Sequence, residues 1–171
     1  MNLNQWRKTE VADLTVTDGE TANEYRFTFA TMSAYEESKY NALRRKAFGS
    51  YVELFGAPEA MDPDLAGEAN EYMTVLLKYV AILAACTQLE MREYVESATV
   101  EEREQAQWQV VPWPEEWRKP ATAIQNIPTA TLDYLYETVI MAGNPLRLLG
   151  MVSVDENEKK MIRINAKPSA A

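Results

Sequence analysis

YMTVLLKYVAILAAC, residues 72 to 86, is the stretch whose reading decides the fold, because only Thr74 and Lys78 within it are not apolar. The pattern predicts a helix, and a helix apolar on nearly every side has to be covered on nearly every side. Burial of Leu76, Leu77, Val80, Ile82 and Leu83 contributes about 1.5 to 3 kcal/mol each, against a net domain stability of roughly 5 to 15 kcal/mol. Leaving even two of them in water would remove much of that stability. The run falls short of the ~18 to 20 apolar residues a membrane span needs, and Lys78 interrupts it. It is read as the buried central post of a soluble domain.

Upstream, Asp62-Pro63 opens this helix, with the aspartate as N-cap and the proline at the first helical position. Before it, Tyr40, Leu43, Ala47, Tyr51, Val52 and Phe55 recur at helical spacings, so residues 33 to 55 predict an amphipathic helix led by Thr31 or Ser33. Glu36 and Glu37 sit at the positive end of its dipole, and Gly56 with Pro58 stops it. Arg44, Arg45 and Lys46 lie on its polar side, as a solvated face or a patch for an acidic partner. Residues 11 to 29 predict a hairpin: VADLTVT and EYRFTFA both alternate, with Tyr25, Phe27 and Phe29 on one face. The connection from Asp18 to Asn23 is expected to be looser than a two-residue turn.

Downstream, residues 90 to 104 carry six Glu against Arg92 and Arg103. They are read as a helix end with a solvated connector, or as a short helix capped by Thr99. QWQVVPWPEEWRKP, residues 107 to 120, follows, and its prolines forbid a regular helix through 112 to 114. A last helix starts at Pro128-Thr129, shows Leu132, Leu135, Tyr136, Val139 and Ile140 on one face, and stops at Gly143, Asn144 and Pro145. MVSV and KMIRIN, around DENEK, fit either a hairpin or a short helix. The expected architecture is mainly α: one small helical domain over residues 1 to 150 around a buried central helix, with an N-terminal β-hairpin, and a C-terminal extension over 151 to 171.

Lys plus Arg number 17 and Asp plus Glu 26, a net charge of −9 that repels nucleic acid and anionic membrane surfaces. Cys86, the single cysteine, rules out an internal disulfide and points to a reducing compartment. MNLNQWRKTE has no apolar core of signal-peptide length, so export by that route is not expected. Histidine is absent, which excludes Ser-His-Asp and Cys-His nucleophilic sites and histidine zinc sites. The glycines are too scattered for a phosphate-cradling loop. Asp62-x-Asp64 with Gly67 resembles half of a calcium loop, but the twelfth position is Met73 where a glutamate is required. No catalytic, cofactor-binding or metal-ligating residue is therefore assigned.

Among the carboxylate pairs only Glu115-Glu116 has aromatic surroundings, the one place where acid–base or carbohydrate chemistry is conceivable. WPEEW itself has three readings: a folded-back corner whose indoles plug the central helix, an exposed aromatic anchor for a partner, or that small site. The residues assigned to partner binding are Trp108, Trp113, Trp117, Tyr79 and Ile82.

TMSAYEESKYNALRR, KYVAILAACTQLE, VPWPEEW and IPTATLDYLYETVIMAGNPL, in this order after a hairpin, resemble in layout the tail assembly chaperones of long-tailed bacteriophages. The likeness spans about residues 9 to 149. It implies a non-enzymatic helper without cofactors that binds the tape measure protein in the host cytoplasm until the tail tube assembles, and that forms a homo-oligomer in some cases. It also implies that a ribosomal frameshift appends a second domain, for which Lys159-Lys160 marks a candidate slip. Two rivals differ in class: a structural virion component such as a head or tail connector, and a small acid–base enzyme using Glu115 or Glu116.

Overall fold

Alternation in the first strands is regular enough to be read side chain by side chain in the computed structural model, which describes residues 6–144. The expectations for MVSV, DENEK and KMIRIN fall outside the described residues. Strands β1 (Thr9–Asp18) and β2 (Thr21–Ala30) pair antiparallel, Thr9 opposite Ala30 and Asp18 opposite Thr21. The turn is tighter than expected. Gly19 at φ +61° and Glu20 with negative φ make a two-residue connection of the type II′ kind, in which only glycine enters the first position without strain. Thr21, Ala22 and Asn23 are consequently strand residues, not loop.

Helix α1 (Ala34–Phe55) begins in a capping box: Ser33 Oγ accepts from Glu36 N–H at 3.3 Å and Glu36 Oε2 accepts from Ser33 N–H at 2.7 Å. It ends at Gly56, φ +82°. Asp62 caps a single 3₁₀ turn, Pro63–Leu65, that leads straight into α2 (Ala66–Ala85). The last residues of α2, Tyr79 to Ala85, are all buried, as an all-round apolar helix requires. Lys78, on the same helix, meets Asp133 at 2.7 Å.

The mainly α expectation is overturned at the next residue. Cys86 starts a strand, β3 (Cys86–Glu93), with no intervening loop, and β3 pairs antiparallel with β2. A short fourth strand, β4 (Gln109–Val110), completes an antiparallel sheet in the order β1-β2-β3-β4. The fold is therefore a mixed α/β arrangement, a four-stranded sheet with helices against one face. Thr87 is an extra residue in β3: Phe27 pairs with Leu89 but Phe29 pairs with Cys86, so both pairs keep to the inner face. Of the two readings of residues 90 to 104, the helix end is replaced by β3 and the short helix capped by Thr99 is present as α3 (Val100–Gln105), with Thr99 and Glu102 forming its capping box. Helices α4 (Pro120–Ala123) and α5 (Thr129–Met141) follow.

Ala12, Phe27, Phe29 and Leu89 from the sheet meet Leu76, Val80 and Leu83 of α2 and Leu132, Leu135 and Val139 of α5 in one core. Asp13, Glu24, Arg26 and Arg92 occupy the opposite face.

Candidate functional site

The three downstream tryptophans, read together in the sequence, are divided between the two faces of the sheet. Trp108 lies on the outer face between two guanidiniums, 4.2 Å from Arg26 and 4.4 Å from Arg92. Arg26 in turn holds Asp13 of β1 through paired 2.9 Å bonds, and Arg92 holds Glu24. One indole thus joins two ion pairs into a single charged row on this face of the sheet.

Trp113 and Trp117 turn inward. Pro112 and Pro114 keep the approach extended, and a 3₁₀ turn, Glu116–Arg118, then reverses the chain, with Trp117 N–H donating to Pro114 O at 3.0 Å. The indoles lie edge to face with centroids 6.0 Å apart. Phe27 touches both, at 5.7 and 6.4 Å, and Tyr25 stands 5.3 Å from Trp117. Arg118 Nε donates to Trp113 O, and the buried Tyr79 hydroxyl donates to Trp117 O. Burial holds that phenol above its ordinary pKa, so it stays a donor throughout the physiological range. This is a folded-back corner hooked onto α2.

Between this corner, β1 and the start of α5 lies a cleft of about 430 Å³. Leu14, Phe27, Trp113, Trp117, Ile127 and Leu135 form much of its apolar lining. Thr15, Thr17, Asn126 and Thr131 add polar groups, and Glu116 is the residue there that carries a charge. Leu14, Thr15, Val16 and Thr17 all take part although successive residues point to opposite faces of a strand. The cleft therefore reaches the edge of β1, not only one face of it.

Of the residues assigned to partner binding, Trp113, Trp117 and Tyr79 are brought together here, the first two half-buried and Tyr79 almost wholly covered. Ile82 is fully buried and offers nothing to a partner from the folded chain. Trp108 belongs to the other face. Glu115 is 85% exposed and reaches Lys119 at 3.9 Å, away from Glu116's position on the cleft lining. Sequence reading missed the β1 wall, Leu14 and Val16, and the contribution of Asn126 and Ile127. The alternation of Leu14 and Val16 was visible, but Asn126 and Ile127 lie in the turn between α4 and α5, and nothing local says that the four converge.

Cys86 is half-buried and its thiol donates to Gln88 O at 3.3 Å. Burial pushes its pKa up to about 11, which keeps it a thiol. Among the described residues no group of three or more His, Cys, Asp or Glu is placed to hold a metal ion, and no helix is long and apolar enough to cross a membrane. Compared with known proteins, the chain matches no family model, no curated protein and no solved structure.

Proposed function

We propose that this protein is a non-enzymatic tail assembly chaperone of a long-tailed bacteriophage, and that it holds the tape measure protein through the cleft beside the tryptophan corner, in the host cytoplasm. The observation that carries this reading is the cleft itself. It is open and apolar, with aromatic side chains held in place from behind, which suits capture of a partner's apolar side chains. The net charge of −9 supports the role by keeping such a complex dispersed.

The test is co-expression with a tape measure protein of a long-tailed phage, followed by capture on the tagged chaperone. Trp113 and Trp117 pack on Phe27, so truncating them would disturb the fold as well as the surface. Val16→Asp and Glu116→Arg change the lining from the rim instead. The parent is expected to hold the tape measure protein in solution, and Val16→Asp to lower capture about tenfold with an unchanged circular dichroism spectrum. No capture by the parent would sink the role, and recovery of the protein in mature particles would favour a structural virion component.

A further inference from the structure

We infer that the outward face of α1 is the contact of a symmetric dimer of this chain, in which the two helices cross antiparallel at Gly49 and Lys46 of each copy meets Glu53 of the other. None of these residues lines the cleft, so the inference stands apart from the proposed function.

Helix α1 buries Tyr40, Ala47 and Tyr51 and turns Ala42, Lys46, Gly49 and Glu53 outward, all four exposed. Gly49 is the unexplained member of that face. Inside a helix glycine is the costliest residue after proline, and among the described residues nothing requires it here. Its φ is not positive, and a Cβ built on it would meet no atom within 4 Å. Alanine would serve the isolated helix better. A notch on an outward face is accounted for by a second helix lying against it, because the distance between two helix axes is set by the side chains at their contact. Ala42, two turns earlier on the same line, keeps the notch shallow-walled.

Charge selects the occupant. Lys46 and Glu53 are two turns apart, within about 20° of one line along the helix, and Gly49 and Ser50 lie at their midpoint. Neither has an opposite charge three or four residues away: Lys46 has Ala42, Leu43, Gly49 and Ser50 there, and Glu53 has Gly49, Ser50, Gly56 and Ala57. Among the described residues neither is in an ion pair. Antiparallel pairing about the midpoint brings Lys46 of each copy level with Glu53 of the other, on the same side of the crossing, twice. Parallel pairing would set lysine on lysine and glutamate on glutamate. A base and an acid placed symmetrically about a glycine make the face complementary to itself, which a two-fold contact requires. An acidic partner segment would suit Lys46 but meet Glu53 on the same line.

The experiment is sedimentation velocity on the full-length protein, at concentrations up to about 0.5 mM because one helix crossing is a small contact. The parent is expected to dimerise. Lys46→Glu and Glu53→Lys are each expected to weaken the dimer at least tenfold, since each sets like charges opposite one another. Glu53→Lys also lowers the net charge from −9 to −7 and eases general repulsion, so a weaker dimer there reports the local pair. Lys46→Glu combined with Glu53→Lys is expected to restore the parent's affinity, a recovery that damage to the fold would not produce. Gly49→Gln fills the notch with a better helix former, and is expected to raise the Tm of the dilute protein while weakening the dimer at least tenfold. A parent that stays monomeric throughout overturns the proposal and leaves the face to a different partner. A dimer indifferent to both reversals, a double variant no stronger than the single ones, or a dimer that tolerates Gly49→Gln overturns it equally. Should either reversal misfold, Gly49→Gln decides alone.

Discussion

Replacing Asn144 by alanine should destabilise the whole domain, although it follows the last described helix and looks like a stop signal. Asn144 is 3% exposed. Its Oδ1 accepts from Met32 N–H at 2.8 Å, and its Nδ2 donates to Ala30 O at 3.1 Å and to Val139 O at 2.9 Å. The Gly143 N–H bonds Ile140 O, so the amide of Asn144 takes the place of the next turn at Val139 O. The same clasp fixes the chain between β2 and α1. Gly143, at φ +86°, allows it: a Cβ there would lie 3.0 Å from Thr31 Oγ1, which itself donates to Ala142 O at 2.7 Å.

Three bonds at about 1 to 1.5 kcal/mol each, with their partners left buried, put the cost of Asn144→Ala at roughly 3 to 4.5 kcal/mol. For a domain of this size that is a fall in Tm on the order of 10 °C. Urea unfolding followed by circular dichroism measures it directly. Asn144→Asp sharpens the test because it keeps the acceptor for Met32 but turns a carboxylate on two carbonyls. Burial and those carbonyls raise the folded pKa of such an aspartate above its unfolded value of about 3.9. The stability it retains is therefore fully present below the unfolded pKa and is lost as pH rises through the folded pKa. The aspartate variant should be the weaker of the two at pH 7 and should regain stability, relative to the parent, as pH falls toward 4. A loss under about 1 kcal/mol for Asn144→Ala, or a parent-to-aspartate gap that does not change with pH, would refute the clasp.

Two further expectations follow from single groups. Burial is the strongest single influence on Glu36 and opposes its ionisation, yet hydrogen bonds from Ser33 and Arg7 together outweigh it and hold the carboxyl below its ordinary value of 4.5. Its contribution is thus present above that value and lost as pH falls through the folded pKa; the stability gap between the parent and Glu36→Gln should close between pH 5 and 3, and a constant gap would count against it. Cys86, at a pKa of about 11, should have a thiolate fraction at pH 8 roughly 200-fold below that of a free thiol. Iodoacetamide should therefore label it at least ~100-fold more slowly than a free thiol, with a rate that rises about tenfold per pH unit; labelling at the free rate would show that burial does not hold.

What the sequence made legible was what local chemistry determines. Ser33-x-x-Glu36 and Thr99-x-x-Glu102 announce helix starts, the alternation of VADLTVT and EYRFTFA announces strands, and Pro128 to Gly143 announces α5; all are present. β3 was not legible. Gln88, Leu89, Glu90, Met91 and Arg92 are good helix formers that follow an unbroken apolar helix, so propensity extends α2 where the chain instead becomes a strand. Pairing with β2 decides it, and the extra residue at Thr87 sets the register, both being non-local. That one misreading turned a mixed fold into a helical one. The candidate site was half legible for a similar reason: Trp113 and Trp117 stand out by composition, whereas Leu14 and Val16 matter only because the hairpin folds over α5.

The loopless step from Ala85 to Cys86 also explains how a strongly acidic chain can keep an apolar opening. Because α2 becomes β3 directly, Tyr79 is fixed relative to the sheet, and its bond to Trp117 O fixes the tryptophan corner in turn. The floor of the cleft is therefore set by the core and does not depend on a partner for its shape. Charge is handled on the other face, where Asp13 of β1, Arg26 and Glu24 of β2 and Arg92 of β3 are connected through Trp108. That row ties β1 to β2 from outside, while Ala12 and Leu14 tie it to the core from inside. The apolar cleft and the charged row are separated by the thickness of one sheet, so the carboxylates and guanidiniums stay solvated without entering the apolar opening.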